Sequence, residues 1–347
     1  MTQSGRLIKR IVSAELVHSE TASFDSRGSK MSKVVLLAIA MLATVATAST
    51  STMAQETTRY DGPIIDMHMH ASTIWQGPDG KPPPADCYGD PCEPIRTAAT
   101  SDDDLLQMTV AAMDRHHIVL GFLSGDIERV SKWKTVAPDR FIGSPTIERP
   151  GKPTVEVLRR EYAAGRLSAM GEIGAQYWGY APNDPALEPY FALADDLDLP
   201  ILIHTLGNGA FRPGFRVAAG NPILLEEVLV RHPDLRLYVE NCGFPFSSEM
   251  IAMMYQYPKL HCDVSTITWM FKREAFLDHF ERLIRAGLGK RIMFGSDQII
   301  WPESISVAVE TIQSVEFLSS QQRADIFYGN AARFLRLSDE QIAAHHK

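Results

Sequence analysis

The sequence predicts eight βα units closing into a (β/α)8 TIM barrel with extra helices at the C-terminus, and three observations carry that reading. From residue 63 onward, short apolar runs alternate with amphipathic stretches, roughly one pair every 30 residues, the pattern of a parallel sheet with helical crossovers. Five of the eight expected strands end in imidazole, carboxylate or amide side chains, and active sites of such barrels lie at the C-terminal strand ends. No Gly-rich phosphate turn follows the first strand, which sets aside a doubly wound sheet. A long Pro/Gly-rich connection, residues 71–100, stands there instead and would lie over the C-terminal face.

The strands are expected at Pro63 to His70, Ile118 to Ser124, Phe141 to Thr146, Ser168 to Ile173, Pro200 to His204, Leu235 to Asn241, Leu260 to Asp263 and Arg291 to Gly295. Ser101 followed by three aspartates opens a helix with a capping hydroxyl and an acidic first turn. Asn221-Pro222 opens another with proline in its first turn, and Leu224, Leu225, Val228 and Leu229 give it an apolar face. Further helices are expected at Thr154 to Ala164, Glu188 to Leu197, Ser248 to Gln256, Glu274 to Ala286 and Ile305 to Ser314, with one or two more in Ser320 to Leu337.

Residues 1–54 read as a separate N-terminal extension, ahead of one barrel domain over 55–347. Met31-Ser32-Lys33 leads into an apolar run from Val34 to Ala48 that ends in Ala46-Thr47-Ala48, the marks of a secretory signal peptide. That run is too short for a comfortable membrane span, so the mature protein is expected to be exported, periplasmic or secreted, with no span. The 347-residue chain carries a net charge of −8; six basic and three acidic residues before position 55 leave −11 for the remainder. A domain that acidic is a poor nucleic-acid binder. Nothing in the sequence excludes a homo-oligomer. In an exported chain Cys87 and Cys92 read as a small disulfide loop, while Cys242 and Cys262 read as buried free thiols.

In Asp66-Met67-His68-Met69-His70, strand alternation puts Asp66, His68 and His70 on one face and the two methionines on the other. Two imidazoles aimed into a barrel mouth can hold one divalent ion; spacing alone equally fits two buried core histidines. The other strand ends decide in favour of a metal: Glu172 on strand 4, His204 on strand 5, Glu240 and Asn241 on strand 6, and Asp297 on strand 8. By strand alternation Glu240 should face away from Asn241's side unless a bulge re-aims it. His116, His117, His232, His261, His279, His345 and His346 read as surface or structural.

With these residues in view, the chain resembles the amidohydrolase superfamily, and within it the amidohydrolase-related group of small metal-dependent hydrolases and decarboxylases. The resemblance runs from about Pro63 to Leu337. It is carried by Asp66-Met-His-Met-His70, His204, Gly295-Ser-Asp297 and Tyr328-Gly-Asn-Ala-Ala-Arg-Phe-Leu335. It implies that His68, His70, His204 and Asp297 are metal ligands, with Asp297 also the proton-transfer group. Glu172 stands where some members use a strand-4 carboxylate or modified lysine to bridge two metals. Members usually carry a histidine near the end of strand 6, and here Asn241 takes its place. An amide is a weak ligand but a competent hydrogen-bond donor, so one ion is expected, zinc first and manganese second.

The expected reaction is hydrolysis of an ester, lactone or amide by metal-activated water, with Asp297 taking the proton and Asn241 and Glu172 orienting substrate and water. Arg212, Arg216, Trp269 and Trp301 follow the strand ends and would bind a small, carboxylated substrate, a guanidinium being a bidentate partner for carboxylate. The alternatives are non-oxidative decarboxylation of a carboxylated aromatic and a non-catalytic metal-binding barrel. For the export signal, intact-mass analysis of protein from the native host should place the mature N-terminus after Ala48 or Ala54; a retained Met1 or Met31 contradicts it.

Overall fold

The computed structural model describes residues 59–77, 79–85, 95, 98–207 and 212–347; the expected export segment and the Cys87–Cys92 loop lie outside them. All eight strands form: β1 (Ile64–Ala71), β2 (Ile118–Gly125), β3 (Phe141–Pro145), β4 (Met170–Ile173), β5 (Ile201–Ile203), β6 (Leu237–Val239), β7 (His261–Val264) and β8 (Ile292–Phe294). They pair in parallel and in chain order, β1 to β3 in one ladder and β4 to β8 in another. An isolated bridge between Ile147 and Ile173 joins the ladders on one side. On the other, the Asp297 amide donates to the His68 carbonyl at 2.7 Å, tying the end of β8 to β1.

Each strand is followed by a helix: α1 (Asp102–Arg115), α2 (Ile127–Val136), α3 (Val155–Ala163), α4 (Glu188–Asp196), α5 (Glu226–Arg231), α6 (Ser247–Gln256), α7 (Arg273–Arg285) and α8 (Glu303–Gln313). The Ser101 hydroxyl caps α1 as the sequence suggests, and the Thr154 hydroxyl caps α3 in the same way, each accepting from a backbone amide of its first turn. The sequence reading does not mark α2. Its buried side is only Val130 and Trp133, too thin a stripe to stand out among its polar residues, although Asp126 caps it. The chain ends in α9 (Ser320–Ala324), α10 (Asn330–Leu335) and α11 (Asp339–His345).

The core has two layers. Ile65, Met67, Phe122, Leu202, Tyr238 and Met293 meet inside the ring of strands, with Ala331 and Phe334 of α10 packed against them. The larger layer lies between strands and helices and includes Ile64, Met69, Trp133, Phe191, Phe276 and Phe294. Strict alternation along β1 is therefore not observed. A bulge between Asp66 and Met69, Met67 and His68 on β1 against Phe122 alone on β2, lets Met67 join the inner layer while His68 and His70 turn toward the barrel mouth.

Gly171 on β4 shows why one small residue is needed here. Its φ is +114°, and a Cβ would stand 2.2 Å from the Leu202 carbonyl oxygen on β5. Gly171→Ala should cost at least about 2 kcal/mol of unfolding free energy, from the left-handed backbone and the clash together. Chemical denaturation measures this, and an unchanged midpoint would contradict the tight β4–β5 approach.

Candidate active site

Of the expected strand-end residues, His70, Glu172, Glu240 and Asp297 line one cavity of about 490 Å³ at the C-terminal mouth of the barrel, and His68 and His204 are buried against them. Its floor has two connected parts. In the first, the His68 and His70 Nε2 atoms stand 3.1 Å apart. Asp297 Oδ1 is 2.9 Å from His70 Nε2 and 3.8 Å from His68 Nε2, and Glu172 Oε2 is 3.6 Å from His70 Nε2. Ligand atoms bonded to one ion at about 2.1 Å in a tetrahedron are about 3.4 Å apart, so these separations fit a shared cation. In the second part, His204 Nδ1 lies 2.6 Å from Glu240 Oε2 and 3.0 Å from Glu172 Oε1. His204 thus joins the site through the two glutamates, rather than in one four-residue cluster with His68, His70 and Asp297.

Glu240 departs from the sequence expectation. β6 ends at Val239, and Asn241, Cys242 and Gly243 follow with φ of 52°, 45° and 68°. Two non-glycine residues in the left-handed region cost roughly 1–2 kcal/mol each, less for asparagine, and such strain gathers at functional sites. The turn swings Glu240 into the cavity and Asn241 out of it. The Asn241 amide donates to Glu240 Oε1 at 2.7 Å, while its carbonyl accepts from the Ser265 hydroxyl and the Ile267 amide. Glu240 lines the cavity wall and Asn241 does not. The premise for a single ion, a site left with only a weak amide on strand 6, therefore does not hold.

Three further residues support the site without having been singled out in the sequence. Asp263 on β7 stands with Oδ2 3.2 Å from His68 Nδ1, a carboxylate behind a candidate ligand that fixes its tautomer. It ends an expected strand, so the same strand-end argument reaches it. The Thr266 hydroxyl donates to Asp297 Oδ2. The Tyr177 ring packs on His204 at 4.3 Å between centroids. Nothing in the local sequence points to these last two, because their loops are placed only by the fold. Asp297 itself has a left-handed φ of 49°, and Gly295 before it leaves no room for a Cβ, which would meet His68 Cβ at 2.8 Å.

The expected substrate residues divide. Arg212 lines the cavity with its guanidinium 4.6 Å over the Tyr177 ring, and Trp301 forms another part of the wall. Trp269 is buried behind Trp301, its indole N–H donating to the Ser296 carbonyl, and does not reach the cavity. Arg216 folds onto the carbonyls of Pro213, Gly214 and Phe215, off the wall. Cys242 and Cys262, expected as free thiols, are joined in a disulfide; the left-handed turn after β6 brings Cys242 against Cys262 on β7.

The electrostatics are those of a buried, carboxylate-rich site. Burial would raise Asp297, but His68, His70 and the Thr266 hydroxyl outweigh it and hold the carboxyl far below its ordinary range. Burial raises Glu240 to about 7 against the pull of His204. It likewise raises Asp66 to about 7 despite hydrogen bonds from Ser296 and His68. His204, which burial alone would lower, is carried to about 10 by Glu240 and Glu172. His204 Nε2 is buried without a hydrogen-bond partner, while Glu172 Oε1 and Asp297 Oδ1 are buried with a histidine ring nitrogen beside each, at 3.0 Å from His204 and 2.9 Å from His70.

A family model described as amidohydrolase matches residues 65–337. The chain belongs to the amidohydrolase family. Solved structures resembling this amidohydrolase include an uncharacterised TIM-barrel protein from Bordetella bronchiseptica, at 19% identity and a TM-score of 0.60, covering 79% of this chain and 98% of that one. A probable 2-pyrone-4,6-dicarboxylic acid hydrolase from Acinetobacter baumannii, with citric acid bound, gives 13% and 0.55 over 79% and 99%. A 5-carboxyvanillate decarboxylase from Sphingomonas paucimobilis gives 17% and 0.55 over 80% and 99%. No curated protein matches the amidohydrolase sequence.

The site predicts the pH dependence of the metal-free protein. Glu240 and Asp66 have folded values near 7, above their unfolded values near 4, so their stabilisation is full at low pH and lost as pH rises through 7. His68 and His204, also raised, lose theirs as pH rises above 6.5. His261 and His279, lowered to about 4, act oppositely, but only below 6.5. With chelator present, the melting temperature should therefore fall from pH 6.5 to 8.5. Added Mn2+ should restore more at the higher pH. A metal-free melting temperature that rises over this interval would contradict the charge arrangement.

Proposed function

We propose that this chain is a metal-dependent hydrolase acting on an ester, lactone or amide bond of a small, carboxylated molecule. The observation that carries the proposal is the gathering of His68, His70, Glu172, His204, Glu240 and Asp297 into overlapping groups of possible ligands, four of which line one cavity, with His204 Nε2 buried and unpartnered. A divalent ion supplies, when bound by such donors, an acidified water near neutral pH and polarisation of a carbonyl oxygen. With Glu240 and Glu172 both turned in, the donors are richer in oxygen than the sequence reading has them, which moves the favoured ion from zinc toward manganese.

Asp297, held ionised by the imidazoles and by Thr266, is placed to accept a proton from the attacking water and pass it to the leaving group. Glu172 and Glu240 keep His204 oriented from both sides. Arg212 forms no ion pair among the described residues and projects over Tyr177 at the wall, where it suits a substrate carboxylate, while Trp301 offers an apolar surface. Asn241, Trp269 and Arg216 act behind this wall: Asn241 braces Glu240, Trp269 packs against Trp301, and Arg216 holds its own loop. Export also belongs to the proposal, supported by the buried Cys242–Cys262 bond, which suits an oxidising compartment.

The second reading is non-oxidative decarboxylation, favoured by the activity named for the Sphingomonas protein and by the same pairing of a cation site with Arg212. Product analysis in H2(18)O over a panel of carboxylated lactones, esters and phenols separates the two. Hydrolysis should place one 18O in the product, and Asp297→Asn should lower kcat by about 10²-fold or more with the fold retained. Carbon dioxide released without water uptake would transfer the protein to the second reading. Full turnover after chelation, or in Asp297→Asn, would overturn both.

A further inference from the structure

Two of the three candidate ligand histidines, His204 and His68, each rest against a carboxylate, and those two carboxylates flank one covalent bond. Glu240, on His204 at 2.6 Å, is two residues before Cys242. Asp263, on His68 at 3.2 Å, is the residue after Cys262. Cys242 and Cys262 are joined across a sequence separation of 20 and are fully buried.

The bond lies where the sheet stops. The β6–β7 ladder contains only the pairs Tyr238 with His261 and Val239 with Cys262. Immediately beyond it come the left-handed residues Asn241, Cys242 and Gly243, so the segment that aims Glu240 has left the ladder that held β6. What remains is side-chain bonding and the disulfide. The Asn241 amide N–H donates to Asp263 Oδ1 at 2.9 Å, and the Ser265 hydroxyl donates to the same oxygen at 2.9 Å. The Thr205 hydroxyl donates to the Glu240 carbonyl at 2.9 Å. The result is a continuous belt beneath the cavity, His204 to Glu240 to Asn241 to Asp263 to His68, in which the bridge is the covalent link between the two halves.

We infer that the Cys242–Cys262 disulfide is a positioning device for the cation site: it holds the turn after β6 against β7, so that Glu240 and Asp263 orient His204 and His68 together. A bridge with this role couples thiol state to ion binding. Coupling is reciprocal, so the oxidised protein binds the ion more tightly and the bound ion opposes reduction. The inference rests on the proposed metal dependence.

The experiment compares full-length wild type with Cys242→Ala/Cys262→Ala, both stripped with chelator, by equilibrium dialysis against Mn2+ well below the melting temperature, with circular dichroism as the measure of fold. The expected result is a folded variant whose Kd for Mn2+ rises tenfold or more. A lowered melting temperature with Kd within twofold of wild type would make the bridge a staple of the fold alone and overturn the inference. Wild type that binds no Mn2+ would instead remove the metal reading itself.

Should the variant not fold, Mn2+-loaded wild type is treated with a phosphine. The phosphine gives two electrons to the disulfide, becomes its oxide with oxygen from water, and leaves two thiols, which are located by peptide mapping. Ion release that tracks appearance of the Cys242 and Cys262 thiols, with circular dichroism unchanged, supports the inference. Ion retained after both thiols appear, or collapse of the fold on reduction, overturns it.

Discussion

Buried negative charge at the mouth of the barrel is the constraint on which the rest of the structure depends. Glu172, Glu240, Asp263 and Asp297 are all buried within one connected network, with three imidazoles among them. Removing isolated carboxylates from water costs several kcal/mol each unless cations or hydrogen bonds replace the lost solvation. The surrounding polar residues serve that need. Thr266 serves Asp297, Asn241 serves Glu240, Ser265 and the Asn241 backbone serve Asp263. Four buried carboxylates among three imidazoles leave a cation as the remaining neutraliser.

Geometry that would otherwise be unfavourable follows from the same constraint. The left-handed residues at Asn241, Cys242 and Asp297 and the close approach at Gly295 all lie within the segments that carry these carboxylates. The bulge in β1 belongs to the same set, since it lets His68 and His70 face the cavity above an inner layer closed by Ile65 and Met67. The cost of these local distortions is met by the ring of strands, whose paired backbones and two-layered core fix the ends from which the site residues project.

Periodicity and strand ends made much of this legible beforehand. The eight strands were readable because each is an apolar run bounded by turn residues, and β1, β4, β5 and β8 end where their ligand candidates stand. Helix α2 was not readable, because only Val130 and Trp133 mark its buried face. The orientation of Glu240 was hidden for a different reason. Alternation assumes that a strand continues, and β6 ends one residue before Glu240, where a left-handed turn sets the direction instead. The pairing of Cys242 with Cys262 depends on the turn after β6 folding against β7, and Tyr177 and Thr266 reach the site from loops whose path only the closed fold defines.

The central claim is that the carboxylate and imidazole donors at the barrel mouth hold a divalent ion. Elemental analysis of purified full-length protein after equilibration with Mn2+ and removal of the free ion tests it most directly, with Asp297→Asn and His68→Ala analysed in parallel. The account predicts at least one tightly held equivalent per wild-type chain and a clear loss in both folded variants. Wild type that retains less than about a tenth of an equivalent, or variants that retain as much as wild type, would contradict it.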